Sequence, residues 1–173
     1  MVALEAFRRA YGELDCIHED QLADGKLDQY AILCLFDVHL MKRASAETVR
    51  DWCEKGGFLL ADEVPSLDEL KQPLGVFDPL FGVTGSAEVR EGPFEIAGGR
   101  AAGDIPRLWG LRTYEAGDAS GSEETAGGAP VWFQRQAGEG SARILNLPLK
   151  DCYFHALAQA DTSADAASIL NLI

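Results

Sequence analysis

The order of apolar runs predicts an α/β fold, in which two parallel strands are joined by a helix and followed by a β-rich C-terminal part. Three observations carry this. "YAILCLF" (30–36) is an unbroken apolar run, the kind that forms a strand covered on both sides in the middle of a parallel sheet. Segment 46–55 puts Ala46, Val49, Trp52 and Cys53 on one helical face, with Ser45 as its cap and Gly56-Gly57 as its end. "FLLA" (58–61) is a second buried strand, so the three together make a βαβ unit, right-handed by the general rule.

The other elements follow in order. Residues 2–14 space Val2, Leu4, Phe7, Ala10 and Tyr11 as an amphipathic helix. An α/β domain normally opens on a strand, so this start leads us to expect a single domain, 1–173, excised from a longer protein. "CIHEDQL" (16–22) alternates as a short strand and "ADGK" turns the chain. "SLDE" (66–69) is a capping box and predicts a short helix from Leu67 to about Gln72. From 83 onward the apolar runs shorten and Gly and Pro multiply. "GDASGSEETAGGA" (117–129) reads as an exposed loop, and "PVWFQRQ" and "SARILNLPL" flank "AGEG" as a hairpin. The tail "TSADAASILNLI" has a helical pattern capped by Thr162 or Ser163.

Composition excludes several classes of function. Lys+Arg 15 against Asp+Glu 28 gives a net charge of −13, which repels nucleic acid and anionic membranes. No run approaches the ~18 apolar residues of a membrane span, and no signal peptide is visible, so a cytoplasmic location is expected. Cys16, Cys34, Cys53 and Cys152 form no C-x-x-C pair, which argues for reduced, mostly buried thiols. No cofactor or metal is expected: "GVTGS" and "AGEGSA" lack the Lys-Ser/Thr of a phosphate loop, and His18, His39 and His155 show no ligand spacing.

"QYAILCLFDVHLMKRASAETVRDWCEKGGFLLADE", "LGVFDPLFGV" and "PVWFQRQAGEGSARILNLPL" follow one another along the chain, within roughly 15–155. In that order they resemble the class I glutamine-amidotransferase-like superfamily, and within it the β-galactosidase trimerisation domain of family-42 glycoside hydrolases. The resemblance implies a flavodoxin-like three-layer fold with a mostly parallel sheet and helices on both faces. It also implies a first strand lying before Met1. In true amidotransferases the strand matching "GFLLADE" leads to a nucleophilic cysteine. Here Ala61, Asp62 and Glu63 stand in that place, and Glu63-Val64-Pro65 lacks the glycines of a tight elbow. The strand end therefore reads as a retired site.

Candidate site residues are consequently few. Asp37 and His39 follow a buried strand at the edge where open sheets bind ligands, and Asp62 ends the next strand. Neighbours on an extended chain point to opposite sides, so Asp62 is expected to cap a turn, with Glu63 in solvent. By resemblance the domain is a non-catalytic accessory or subunit-assembly module of a larger, carbohydrate-active protein. Its partners would be other domains of the parent chain or identical subunits, through an apolar face around 106–133. Two alternatives stay open: a hydrolase or transferase using the acids at the sheet edge, and a carbohydrate-binding module using Trp109 and Trp132.

Overall fold

The structure, a computed structural model, describes residues 14–90, 94–98, 111–123 and 125–147. A five-stranded sheet forms its centre, in the order β1 (Ile32–Leu35), β2 (Phe58–Ala61), β10 (Gly140–Leu145), β9 (Trp132–Ala137), β6 (Ser120–Gly121). Strands β1, β2 and β10 run parallel, while β9 pairs antiparallel with β10 and β6 antiparallel with β9. The sheet is thus mixed, and the expectation of a mostly parallel one is corrected by the β9–β10 hairpin and β6. Beside it, β3 (Val83–Arg90) pairs with β5 (Leu111–Ala116) across a register shift. A three-stranded sheet joins β4 (Ile96–Ala97), β7 (Thr125–Ala126) and β8 (Ala129–Pro130).

The predicted crossover is present. Helix α1 (Arg43–Glu54) links β1 to β2 and buries Ala46, Val49, Trp52 and Cys53, the stripe expected. It starts earlier than predicted: Ser45 lies inside the helix, and Lys42 stands at the cap with no side-chain cap bond. Gly56 ends it at φ +122, a conformation that costs a side chain dearly. Strand periodicity and register then place Leu33, Leu59 and Ala142 in one row and Leu35, Ala61 and Ile144 in the next. These six, α1, and Phe77, Leu80 and Phe81 of the short α2 (Phe77–Phe81) belong to one core cluster. Among the described residues both α-helices pack into this cluster, so the expected helices on both faces are not what these residues display.

Two local expectations are overturned and a third is amended. Strand 16–22 is replaced by 3₁₀ turns at Glu19–Gln21 and Lys26–Gln29, which tuck Leu22 and Leu27 into the core. Long-range pairing decides this: Glu19 accepts from the Lys42 amide (2.6 Å) and Asp20 from Lys42 Nζ (2.6 Å). No helix forms at 67–72. Asp68 Oδ1 instead accepts the amides of Leu70 (2.9 Å) and Gln72 (2.8 Å), and Leu67 bridges Pro73 to close a small loop. The loop 117–129 is largely exposed but carries β6, β7 and the start of β8, and it buries Ser122 and Ala126.

Strand β1 departs from prediction too. It lies at the edge of the five-stranded sheet among the described residues, with Ile32 57% exposed, so it is not the covered middle strand expected. Segment "GVTGS" lies in α2's end and β3, a strand context with no phosphate-binding turn. The predicted helices at 2–14 and in the tail, together with Trp109, Cys152 and His155, lie outside the described residues.

Candidate functional site

Parallel strands bring their C-terminal ends to one edge, and β1, β2 and β10 do so here. Asp37 follows β1 with φ +57, a left-handed conformation uncommon for a non-glycine residue and better tolerated by Asp than by most. Its amide donates to Asp62 Oδ1 (2.9 Å), just beyond β2. The Asp62 amide extends the ladder by donating to Leu35 O (3.4 Å). Asp62 is 2% exposed, so it fastens the β1 loop to the end of β2, a wider role than capping a turn.

Glu63 corrects the reading more sharply. Its side chain does not stand in solvent: Oε2 lies 2.7 Å from Arg112 Nη1 and 2.8 Å from His39 Nδ1. Neither contact has hydrogen-bond geometry at that oxygen, so the Arg112 guanidinium meets the Glu63 carboxylate as an ion pair without an aligned hydrogen bond. The other ring nitrogen of His39 faces Asp37 Oδ1 at 3.4 Å. Arg112, on β5, also donates from Nη1 to the Asp62 carbonyl (3.3 Å), and its amide donates to Asn146 O (2.9 Å) just past β10. Tyr114, two residues on, accepts the Val64 amide at its hydroxyl (3.1 Å). Burial, above all, pushes the Tyr114 phenol upward, with the Glu63 and Asp62 carboxylates pushing the same way.

All three sequence candidates, Asp37, His39 and Asp62, therefore meet at one edge, joined by Glu63, Arg112 and Tyr114. Arg112 and Tyr114 come from β5, in a stretch with no motif, and no sequence signal marks them. The carboxylates are already engaged: Asp62 holds a backbone amide, and Glu63 is compensated by a guanidinium. A general acid/base pair needs carboxyls that face a substrate, whereas Asp62 Oδ1 accepts the Asp37 amide and Glu63 Oε2 faces Arg112 and His39. Nor does a thiol serve this edge among the described residues. Cys34 lies within β1 and Cys53 on α1, and burial raises each to about 11, which suppresses the thiolate. Cys16 is exposed, against the expectation of burial. No group of three or more His, Cys, Asp or Glu able to hold a metal occurs among the described residues.

Across the sheet, Trp132 is only half-exposed and the Arg143 guanidinium lies 4.3 Å from its ring centre, with Phe58 at 5.6 Å on the same cation. Arg143 is further held by Gln134 Oε1, at 3.0 Å from Nε and 2.7 Å from Nη2. Phe133 is buried in the core. Of the aromatic side chains at 132 and 133, then, one is partly covered and the other buried. Among the described residues no helix is long and apolar enough to cross a membrane.

No family model and no curated protein matches the chain. Solved structures do. Exo-β-1,4-mannosidase Op5Man5 from Opitutaceae bacterium strain TAV5 matches 99% of this chain with a TM-score of 0.74 and 15% identity, over 30% of its own length. The GH42 β-galactosidase Gan42B from G. stearothermophilus matches 91% of the chain (TM-score 0.66, 14% identity) over 24% of its length. A Salmonella typhimurium protein, cytoplasmic protein STM3548, matches 98% of the chain (TM-score 0.69, 11% identity) over 83% of its length. At such identities the likeness is one of fold. The chain spans under a third of either glycoside hydrolase, and within that span it has the fold of a domain found in carbohydrate-active proteins.

Proposed function

We propose that this chain is a non-catalytic accessory and subunit-assembly domain of a larger carbohydrate-active protein, of the β-galactosidase-trimerisation type among glutamine-amidotransferase-like, flavodoxin-like folds. One observation carries the reading. Nearly the whole chain corresponds to a minor part of two glycoside hydrolases, as an appended domain would. The chemistry of the sheet edge supports it, because acids replace the thiol at the end of β2 and those acids are tied to Arg112, His39 and a backbone amide.

Assembly needs apolar surface, and two large side chains supply some. Leu40 is 49% exposed and Leu70 74% exposed. They lie on neighbouring segments, because Leu40 bridges Leu67 and the Met41 amide donates to Leu67 O (3.1 Å). The partners that fit are other domains of the parent chain or identical subunits.

The purified chain is expected to release no nitrophenol from p-nitrophenyl β-galactoside or β-mannoside beyond the buffer blank. Turnover that falls in Asp37→Asn and His39→Gln would overturn the non-catalytic reading in favour of a hydrolase at this edge.

A further inference from the structure

Leu70, the most open large apolar side chain among the described residues, stands at the apex of a loop that is already fixed. Inside the cradle of Asp68 Oδ1, the Asp68 amide donates to Gln72 O (2.8 Å) and the Lys71 amide to Asp68 O (2.9 Å). Arg43 clamps the base through Asp68, Pro73 O and Leu74 O. A side chain on a loop held this way gives up little freedom on contact. The tip also carries a charge. Glu69 is turned back to accept the Arg43 amide (3.1 Å), whereas the exposed Lys71 has no ion-pair partner among the described residues.

A patch of opposite character lies beside β1. Tyr30 is extended and two residues before Ile32, so both side chains take the sheet face away from Leu33 and Leu35. The Tyr30 hydroxyl donates to Asp15 Oδ2 (2.6 Å), which brings Leu14-Asp15 close to Ile32. Leu14 and Ile32 are both exposed. The stretch 14–32 carries five acids, Asp15, Glu19, Asp20, Asp24 and Asp28, and Lys26 as its one lysine or arginine. Lys42 takes up Glu19 and Asp20, while Asp15, Asp24 and Asp28 are exposed around the apolar pair.

We infer that the Leu70-Lys71 tip of one copy docks on the patch of Leu14 and Ile32 of a second copy, leucine on apolar floor and lysine against acid. This rests on the assembly reading above and gives it a partner and two surfaces. A second copy is the occupant that fits, because a chain of net charge −13 offers a cationic tip an acidic target and this patch adds the apolar contact. Tip and patch are different surfaces. The contact is therefore heterologous, each copy using its tip on one neighbour and its patch on another.

The test is light scattering on whole-chain variants whose native fold is checked by urea unfolding. Leu70→Asp breaks the tip and Ile32→Glu breaks the patch, with Leu14→Asp as a second patch variant outside any strand. Each alone is expected at the mass of one chain, at concentrations where the native chain is larger. Mixed in equal amounts, a tip variant and a patch variant retain one intact tip and one intact patch between them, so the mixture should reach the mass of two chains and no more. Lys71→Asp keeps a residue tolerated in the left-handed conformation of this position (φ +58) and should weaken native association about three- to tenfold at low salt, and by less at high salt. If the native chain associates but both patch variants still do so, or the mixture stays at one chain, the contact is overturned and the assembly reading stands. A native chain that stays at one chain at every concentration overturns both.

Discussion

At the scale of single residues, the structure uses carboxylates as acceptors for backbone amides. Asp68 is the clearest case. The Gln72 amide above all, with the Leu70 amide and Arg43 adding to it, holds its carboxyl below the usual range against burial, which is the next-largest influence and pushes the other way. A carboxyl depressed in the folded state contributes stability above its unfolded value near ~3.9, and that stability is lost as pH falls through the folded value. Urea midpoints from pH 7 to 3 should thus drop less steeply below about pH 4 in Asp68→Asn, which keeps one acceptor oxygen but no charge. Parallel profiles for the two proteins would show that the Asp68 loop does not contribute to acid sensitivity. This role was hidden in the sequence because Ser66 and Glu69 have the spacing of a capping box. What decides against a helix is Arg43, whose guanidinium reaches Asp68 and the carbonyls of Pro73 and Leu74 from far up the chain.

At the scale of elements, the contact between the β9–β10 hairpin and the end of α1 locks sheet to helix. The Glu139 amide donates to Glu54 O (2.8 Å) and the Ser141 amide to Gly57 O (3.1 Å). Such an approach leaves no room for a side chain: a Cβ on Gly140 would collide with the carbonyls of Cys53 and Gly57, which are backbone and cannot step aside. Gly140→Ala should therefore destabilise the chain by about 1–3 kcal/mol, read from urea unfolding. A change within error would mean that the hairpin is held loosely.

Legibility varies with how local an element is. Strand β1, helix α1, strand β2 and the hairpin were readable because continuous apolar runs, a helical stripe and glycines at turns are local signals. The edge position of β1 was not, because apolar content tells of burial but not of neighbours. The site was half-readable in the same way. Asp37, His39 and Asp62 stand at strand ends that the pattern of runs locates. Arg112 arrives from β5, 50 positions beyond Asp62, and turns Glu63 inward where a sequence reading leaves it in water.

At the scale of the whole molecule, a charge of −13 disfavours close approach of two copies unless apolar contact or ion pairing offsets it. In the proposed reading Leu40 and Leu70, exposed on paired segments and outside the core, are the side chains that would make that contact. The central claim is that the domain acts by association and not by catalysis. Its most direct test is light scattering on the purified chain over a range of concentrations, with Leu70→Asp alongside. A mass that rises above the 18.7 kDa of one chain, and returns to it in Leu70→Asp, is the predicted result. A mass that stays at one chain throughout, in both proteins, would contradict it.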